Sequence, residues 1–92
     1  MKKNDIENRS LPPIEVIDLF CGIGGLSFGM KSKGFDILAG YDLDATCLYA
    51  YEMNNEAKFI YKDIKTVSAD EIDALYSKDA IRVLAGCAPC QP

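Results

Sequence analysis

Two short segments of the sequence carry residue types that can do chemistry. One is the glycine-rich stretch 22–25 (Gly-Ile-Gly-Gly), and the other is Pro89-Cys90 near the end of the chain. Glycines allow a tight turn and let a ligand approach the backbone without a Cβ clash. A cysteine thiolate is a strong nucleophile that forms covalent intermediates. The sequence therefore predicts ligand binding at the turn and nucleophilic catalysis at Cys90.

The spacing around the turn indicates the kind of ligand. It is not the G-x-G-x-x-G pattern of dinucleotide sites, because Ser27 stands at the third glycine position. Asp42 ends the next predicted strand about 20 residues further on, where an acidic side chain can bind ribose hydroxyls. Asp18 ends the first strand at the same edge, so a ribose-bearing, positively charged ligand would suit this acidic rim. Alternatively, the glycines only form a βα turn, and Asp42 and Asp44 begin a helix.

The elements that must position these residues alternate between strand and helix. Runs rich in β-branched residues predict buried strands. Asp44 is expected to cap one helix, a Ser68-x-x-Glu71 capping box to start another, and Gly34 to end the first. This order predicts an α/β fold with a parallel sheet and crossover helices. Strands are expected at 14–20, 35–41, 58–61 and 80–85, and helices at 26–33, 45–54 and after Ser68.

The order of the strands decides whether the two segments meet. In doubly wound sheets the ligand crevice opens at the carboxyl ends of the strands, where the strand order reverses. An order of 3-2-1-4 makes strands one and four neighbours. The glycine turn and Cys90 would then face one crevice.

Composition limits the class of protein. Ninety-two residues make one small domain, and no apolar run approaches the roughly 20 residues that span a bilayer. The start of the chain lacks the apolar segment of a secretory signal, so we expect a cytoplasmic protein with no membrane partner. A net charge of −4 does not by itself indicate nucleic-acid binding. Residues 1–13 are polar, end in two prolines and are expected to form a flexible arm.

The four cysteines have other interpretations. In a reducing compartment they are expected to be thiols rather than disulfides. Cys87-x-x-Cys90 can be read as a redox pair, although such pairs usually open a helix after an early strand. A zinc site would need a second ligand pair, and the sequence has no histidine, so no metal is expected. Packing is the expected role of Cys21, Cys47, Tyr49, Tyr51 and Met53.

Four segments together resemble a known family. Residues 18–26 (Asp-Leu-Phe-Cys-Gly-Ile-Gly-Gly-Leu) are similar to the first motif of C5-cytosine DNA methyltransferases, and 41–44 (Tyr-Asp-Leu-Asp) to the second. Residues 62–64 (Lys-Asp-Ile) resemble the third motif and 86–92, with Pro-Cys-Gln, the fourth. The resemblance implies the first four parallel strands of a Rossmann-like S-adenosylmethionine-dependent methyltransferase fold, which is incomplete. Residues 14–92 would be the N-terminal part of the catalytic domain.

The resemblance also implies roles for single residues. Phe20 would pack on the adenine of the cofactor, S-adenosylmethionine, with Leu43 as a smaller stacking residue than many family members carry. Asp42 would bind the ribose hydroxyls, and Asp63 and Ile64 would read the adenine edge. The backbone that holds the methionine part would be that of Gly22, Ile23, Gly24, Gly25 and Leu26, and the catalytic pair would be Pro89 and Cys90.

The implied reaction transfers a methyl group from S-adenosylmethionine to C5 of cytosine in double-stranded DNA. The target base would leave the duplex stack, and the Cys90 thiolate would add to its C6. The later motifs of the family, which would carry most DNA contacts, are absent from this sequence, so we expect this chain alone to be inactive. Two alternatives stay open: a thiol redox domain using Cys87 and Cys90, and a split or truncated non-catalytic module that docks to a complementing polypeptide.

Overall fold

The computed structural model describes residues 11–86. In this part of the chain four strands alternate with three α-helices, and a 3-10 turn precedes the second and the third helix. None of these helices is long and apolar enough to cross a bilayer. Most of the predicted arm, and Cys87, Pro89 and Cys90, lie outside the described residues. The strands are β1 (Ile14–Asp18), β2 (Asp36–Asp42), β3 (Lys58–Tyr61) and β4 (Ile81–Ala85), and the helices are α1 (Gly25–Ser32), α2 (Leu48–Asn55) and α3 (Ala69–Leu75).

The four strands form one parallel sheet in the order β3-β2-β1-β4, which confirms the predicted topology. β1 lies at the centre, with Val16 opposite Val83 of β4. The ladder between these two strands continues past their ends, because the Leu19 N–H donates to the Ala85 carbonyl over 2.8 Å. The carboxyl ends of β1 and β4 therefore lie side by side.

The helices divide between the two faces of the sheet. A Cβ built on Gly40 would lie 2.5 Å from the Tyr51 ring of α2, whereas the next residue, Tyr41, donates to Glu71 of α3 over 2.8 Å. Successive side chains of a strand point to opposite faces, so α2 and α3 lie on opposite sides. Ser27 of α1 lies 3.1 Å from the Tyr51 hydroxyl, which places α1 beside α2. The connecting helices thus change from one face of the sheet to the other where the strand order reverses.

The core is centred on β1, β2 and the inner side of α2. Val16, Ile17 and Tyr51 are fully buried, which confirms the packing role of Tyr51. The predicted packing of Tyr49 and Met53 is wrong, since these side chains are 73% and 64% exposed. Each lies two positions from Tyr51, about 200° around a helix of 3.6 residues per turn, and so points away from the sheet.

Two boundaries show how side chains end the elements. β1 ends at Asp18, two residues before the predicted end, because Oδ1 of Asp18 accepts the Phe20 N–H over 3.3 Å and turns the chain. At the end of α1, Gly34 takes a positive φ of 94°, as its predicted place after the helix requires.

The predicted caps are present with modifications. Asp44 accepts the backbone N–H two residues further on, over 3.0 Å, but it begins the 3-10 turn Ala45–Cys47 rather than α2 itself. Ser68 caps α3 by accepting the Glu71 N–H over 3.0 Å. The reciprocal half of the capping box is replaced, because the Glu71 carboxylate is bonded to Tyr41 on the sheet instead.

Candidate functional site

The glycine turn between β1 and α1 is tied to the end of β2. Gly22 and Gly24 take φ angles of 51° and 93°, which side-chain-bearing residues rarely adopt. The Gly22 N–H donates to Oδ2 of Asp42 over 2.8 Å, and the Cys21 N–H donates to the Tyr41 carbonyl over 3.0 Å. The turn and Asp42, far apart in sequence, therefore lie side by side.

Asp18 lies beneath this turn rather than in the open. Its side chain is buried, and Oδ2 accepts the Ser27 hydroxyl over 2.8 Å. Ser27 in turn lies 3.1 Å from the Tyr51 hydroxyl. Burial raises the pKa of Asp18 above its ordinary value, against the lowering effect of the Ser27 bond. Asp18 thus faces the helices, and the sequence gives no sign of its buried partners other than Ser27 at the third glycine position.

A cleft of about 150 Å³ opens beside the turn, at the carboxyl ends of the strands. Aromatic and aliphatic side chains provide most of its wall, and two carboxylates border it. Five residues predicted to bind the cofactor meet here: Phe20, Asp42, Leu43, Asp63 and Ile64. Leu19 and Lys62 complete the lining.

Asp42 is held by two backbone groups, one on each oxygen. Oδ2 accepts the Gly22 N–H, and Oδ1 accepts the Asp44 N–H over 2.9 Å. A carboxylate offers about four lone-pair sites, so Asp42 can accept further hydroxyl donors from the cleft. Across the cleft, Asp63 accepts the Lys65 N–H over 2.9 Å and so caps a 3-10 turn. Both carboxylates are therefore fixed in orientation before any ligand arrives.

Lys62 is held by an ion pair with Glu71 of α3. Its Nζ lies 2.6 Å from Oε1 of Glu71, while Tyr41 donates to Oε2 over 2.8 Å. The bond from Lys62, and then that from Tyr41, lower the pKa of Glu71. Burial, with the bond to Glu71, raises the pKa of Tyr41 to about 12. Because Glu71 neutralises Lys62, the acidic character of the cleft comes from Asp42 and Asp63.

Three more of the residues predicted to bind the cofactor lie on the far side of the turn. Ile23, Gly24 and Gly25 border a shallow hollow of about 240 Å³, with Phe28 and Asn54 as its other walls. Leu26 is also exposed, at 43%. Most of the predicted residues thus border one of two hollows, one on each side of the turn, whereas Asp18 lies beneath the turn and Gly22 is bonded to Asp42.

The chain leaves β4 next to the cleft. A Cβ built on Gly86 would lie 3.3 Å from Cδ2 of Phe20 and 3.5 Å from Cβ of Leu19, which is ordinary contact distance or slightly less. Pro89 and Cys90 follow a few residues later and lie outside the described residues.

The described cysteines are packed thiols. Burial, followed by the nearby charge of Asp18, raises the pKa of Cys21 to about 12, and burial also raises the pKa of Cys47. Cys21 lies in the core cluster of Tyr51 and Phe59, and Cys47 packs at its edge. Within residues 11–86 no three cysteine, aspartate or glutamate side chains come together as metal ligands.

A larger hollow lies at the opposite end of the sheet. It measures about 350 Å³ and is bordered by the start of β2 and the ends of α1 and α2, including Lys31, Asp36 and Glu56. Ligands of doubly wound sheets bind at the carboxyl ends of the strands. The smaller cleft beside Phe20 is therefore the better candidate site.

Comparison with solved structures defines the class of fold. The chain superposes on a prophage-encoded DNA modification methyltransferase of E. coli with a TM-score of 0.73 and 31% identity, covering 85% of this chain and 23% of that one. It also matches DNMT2 of Spodoptera frugiperda, with a TM-score of 0.67, 24% identity, and coverage of 86% and 24%. The fold is the first part of the Rossmann-like S-adenosylmethionine-dependent methyltransferase fold.

The sequence comparison specifies the family. The family model described as C-5 cytosine-specific DNA methylase matches residues 14–92, and the chain belongs to this family. The type II methylase M.HgiDII of Herpetosiphon aurantiacus is 54% identical over 76 residues, which cover 83% of this chain and 22% of that protein. The chain spans about a fifth of the length of M.HgiDII and of the type II methyltransferase M.FnuDI of Fusobacterium nucleatum, which is 36% identical over 78 residues. The family uses S-adenosylmethionine as its cofactor.

Proposed function

We propose that this chain is the cofactor-binding and nucleophile-bearing part of a type II DNA cytosine-5 methyltransferase. The observation that supports this most strongly is the proximity of Gly86 to Phe20, since a Cβ built on Gly86 would lie 3.3 Å from the Phe20 ring. It joins the exit of β4, which leads to Cys90, to the cleft in which the predicted cofactor residues meet. One crevice would then hold both the methyl donor and the nucleophile.

The residues of the cleft fit the cofactor. Phe20, Leu43 and Ile64 offer an apolar surface for adenine, and Asp42 has acceptor sites for two ribose hydroxyls. Asp63 can accept the adenine amino group. On the other side of the turn, the backbone of 22–26 would hold the methionine part, where N–H groups of a helix start suit a carboxylate. Asp18 would stabilise the turn from beneath.

The catalytic step belongs to Cys90. Its thiolate would add to C6 of the target cytosine, so that C5 becomes a nucleophile and takes the methyl group. Loss of the C5 proton and expulsion of the thiolate restore the aromatic ring. When bound, S-adenosylmethionine supplies an electrophilic methyl group at its sulfonium. Pro89 would fix the direction in which Cys90 leaves the strand.

DNA contacts would come mostly from polypeptide outside this sequence. The chain has a net charge of −4, and neutralising phosphates requires clustered Lys and Arg. The substrate would be double-stranded DNA with one cytosine turned out of the stack, at a cost of a few kcal/mol. We therefore expect methylation from the full-length or complemented protein and not from this chain alone.

Trapping the covalent adduct tests the assignment. The test uses the full-length or complemented protein and DNA in which the target cytosine carries fluorine at C5. Such a base cannot lose a proton from C5, so the thioether to Cys90 should persist and be visible on a denaturing gel. Cys90→Ser should abolish it. Cys87→Ser is the matched control from the same loop and should retain the adduct. Adduct formation by Cys90→Ser would exclude Cys90 as the nucleophile, and a reversible Cys87–Cys90 disulfide without cofactor binding would favour the redox alternative.

A second candidate function, a docking module without its own activity, is favoured by the surface around β4. Ile81 and Leu84 are 48% and 54% exposed, and a hollow of about 400 Å³ is bordered by Leu84, by Ile72 of α3 and by Tyr76, which follows that helix. Within residues 11–86, β4 pairs on one side only, with β1. Size-exclusion chromatography of this chain with the polypeptide that supplies the later motifs tests this. A stable complex that never methylates DNA would support it over the enzyme.

A further inference from the structure

One lysine lies among the acidic residues of the cleft beside Phe20. Lys62 borders that cleft together with Asp42 and Asp63. Its backbone N–H donates to the Asp42 carbonyl over 3.2 Å, and Asp63 is the next residue in the chain. The side chain of a lysine is a flexible four-carbon stem with a charged end. An unpaired ammonium at position 62 would therefore lie close to both carboxylates and offset part of their charge.

Glu71 holds this ammonium in an ion pair. Nζ of Lys62 lies 2.6 Å from Oε1 of Glu71. The other oxygen, Oε2, accepts the hydroxyl of Tyr41 over 2.8 Å, and Tyr41 is fully buried in the sheet. The bond from Lys62, and then that from Tyr41, lower the pKa of Glu71, so its carboxylate is charged at neutral pH. The carboxylate is thus bonded through both oxygens, and it fixes the position of the lysine ammonium.

The cofactor and its product differ by one charge. S-adenosylmethionine has a positive sulfonium, whereas S-adenosylhomocysteine, which remains after methyl transfer, has a neutral thioether at the same position. All other groups of the two molecules are the same. A positive charge on the wall of the cleft therefore repels the methyl donor and has little effect on the product. With the ammonium of Lys62 neutralised, the carboxylates of Asp42 and Asp63 favour the donor.

We propose that Glu71 is a positioning residue that sets the preference of the cleft for the cationic methyl donor over its neutral product, because it pairs with the Lys62 ammonium. This inference rests on the proposed function. Glu71 is not among the residues that border the cleft, so it acts through Lys62. Each turnover requires the product to leave and the donor to replace it, and a cleft that distinguishes them by charge limits inhibition by the product.

The ratio of two dissociation constants, that of the methyl donor over that of the product, measures this preference. Calorimetry of the full-length or complemented protein at low salt gives both constants. Glu71→Gln keeps an acceptor for Tyr41 but leaves the Lys62 ammonium unpaired. We expect it to raise the ratio by about two- to tenfold, the range for two unit charges roughly 10 Å apart in a partly exposed site. Added salt should reduce this shift.

Two further variants determine the sign of the effect. Lys62→Met removes the positive charge and leaves the Glu71 carboxylate, so the ratio should fall below that of the parent. The double variant Lys62→Met/Glu71→Gln carries neither charge, and its ratio should return to that of the parent. Such a return is not expected if Glu71 only supports the fold, because the effects of the two substitutions would then add.

Glu56→Gln is the matched control. Glu56 pairs with Lys31 over 3.1 Å, and both residues border the hollow at the opposite end of the sheet. This variant also leaves a lysine without its carboxylate, but it changes the charge away from the cleft. The ratio should therefore equal that of the parent.

The outcomes are distinct. An unchanged ratio in Glu71→Gln and Lys62→Met would overturn the inference. Equal losses of affinity for both ligands would overturn it as well, because that is the result of a merely structural role. If Glu71→Gln does not fold, the opposite shift expected of Lys62→Met decides. If the parent protein binds neither ligand, the proposed function itself fails, and the inference fails with it.

Discussion

The Gly22 N–H donates to Oδ2 of Asp42 over 2.8 Å, although twenty residues separate them. This bond joins the turn after β1 to the end of β2, so the two sides of the cleft are set relative to each other by one carboxylate. Asp42 therefore has two tasks: it anchors the turn, and its free lone pairs face a ligand.

Removing the charge of Asp42 should weaken binding of the nucleoside part. Asp42→Asn retains one acceptor oxygen but loses a charge-assisted hydrogen bond, which corresponds to about 10- to 100-fold in affinity. Calorimetry of the full-length or complemented protein with 5′-methylthioadenosine, which keeps the adenine and ribose of the cofactor, measures this affinity. Asp36→Asn, at the opposite end of β2 and exposed, is the control and should bind like the parent. Equal affinities of the two variants would contradict a ribose contact.

Adding a methyl group at Gly24 should destabilise the fold. A Cβ there would lie 2.1 Å from Nδ2 of Asn55 and 2.7 Å from the Tyr51 ring, at a φ of 93°. We expect Gly24→Ala to lower the free energy of unfolding by at least about 2 kcal/mol, from strain and displaced packing. Gly29→Ala, inside α1 with nothing near its Cβ, should instead raise it by about 0.5–1 kcal/mol. Urea denaturation of both variants measures these free energies. Equal changes in the two variants would contradict the close packing around Gly24.

The buried Asp18 should make stability fall as the pH rises. Burial raises the pKa of Asp18, so the folded state binds the proton more tightly than the unfolded state. Its contribution to stability is present below the unfolded pKa of about 3.9 and is lost as the pH rises through the higher folded pKa. Asp18→Asn should therefore gain stability relative to the parent across this window. A difference between the two that is constant from pH 4 to 7 would disprove the raised pKa.

The contribution of Glu71 to folding stability should have the opposite pH dependence. The bonds from Lys62 and Tyr41 lower its pKa, so its contribution is present above the unfolded pKa of about 4.3 and is lost as the pH falls through the folded pKa. Glu71→Gln keeps an acceptor for Tyr41 but removes the charge. The stability advantage of the parent over this variant should shrink on acidification, which chemical denaturation at a series of pH values measures. An advantage that grows on acidification would rule out the assigned cause.

Cys21 should resist alkylation in the folded protein. It is 5% exposed and its pKa is raised to about 12, and the thiolate, not the thiol, is the reactive species. Iodoacetamide at pH 8 should leave Cys21 unmodified until urea unfolds the chain, as peptide mass spectrometry can follow. Cys21→Ala is the control for peptide assignment. Rapid labelling of native Cys21 would show that the turn opens readily.

The strands and helices could be predicted from the sequence because the signals that mark each of them lie within a few residues of that element. Hydrophobic runs, the caps at Asp44 and Ser68 and the glycine after α1 each mark one element, and the order 3-2-1-4, on which the predicted site depended, is one that doubly wound sheets commonly have. The place of Asp42 at a strand end was also readable, since it follows from strand length alone.

The buried hydrogen bonds beneath the glycine turn could not be predicted from the sequence, because they depend on how the helices pack against each other. Ser27 and Tyr51 belong to different helices, and only their packing on one face of the sheet brings the hydroxyls within 3.1 Å. The errors at Tyr49 and Met53 have the same cause: a short helix with apolar residues on several sides does not reveal which side is buried.

Among residues 11–86, one side of β4 has no neighbouring strand, and this has a consequence for handling the molecule. Its backbone amides and carbonyls, flanked by the exposed Ile81 and Leu84, form a template on which another strand can add. Produced without polypeptide to cover that strand, the chain would tend to associate with copies of itself through this edge. Co-production with the segments that carry the later motifs should therefore improve its solubility.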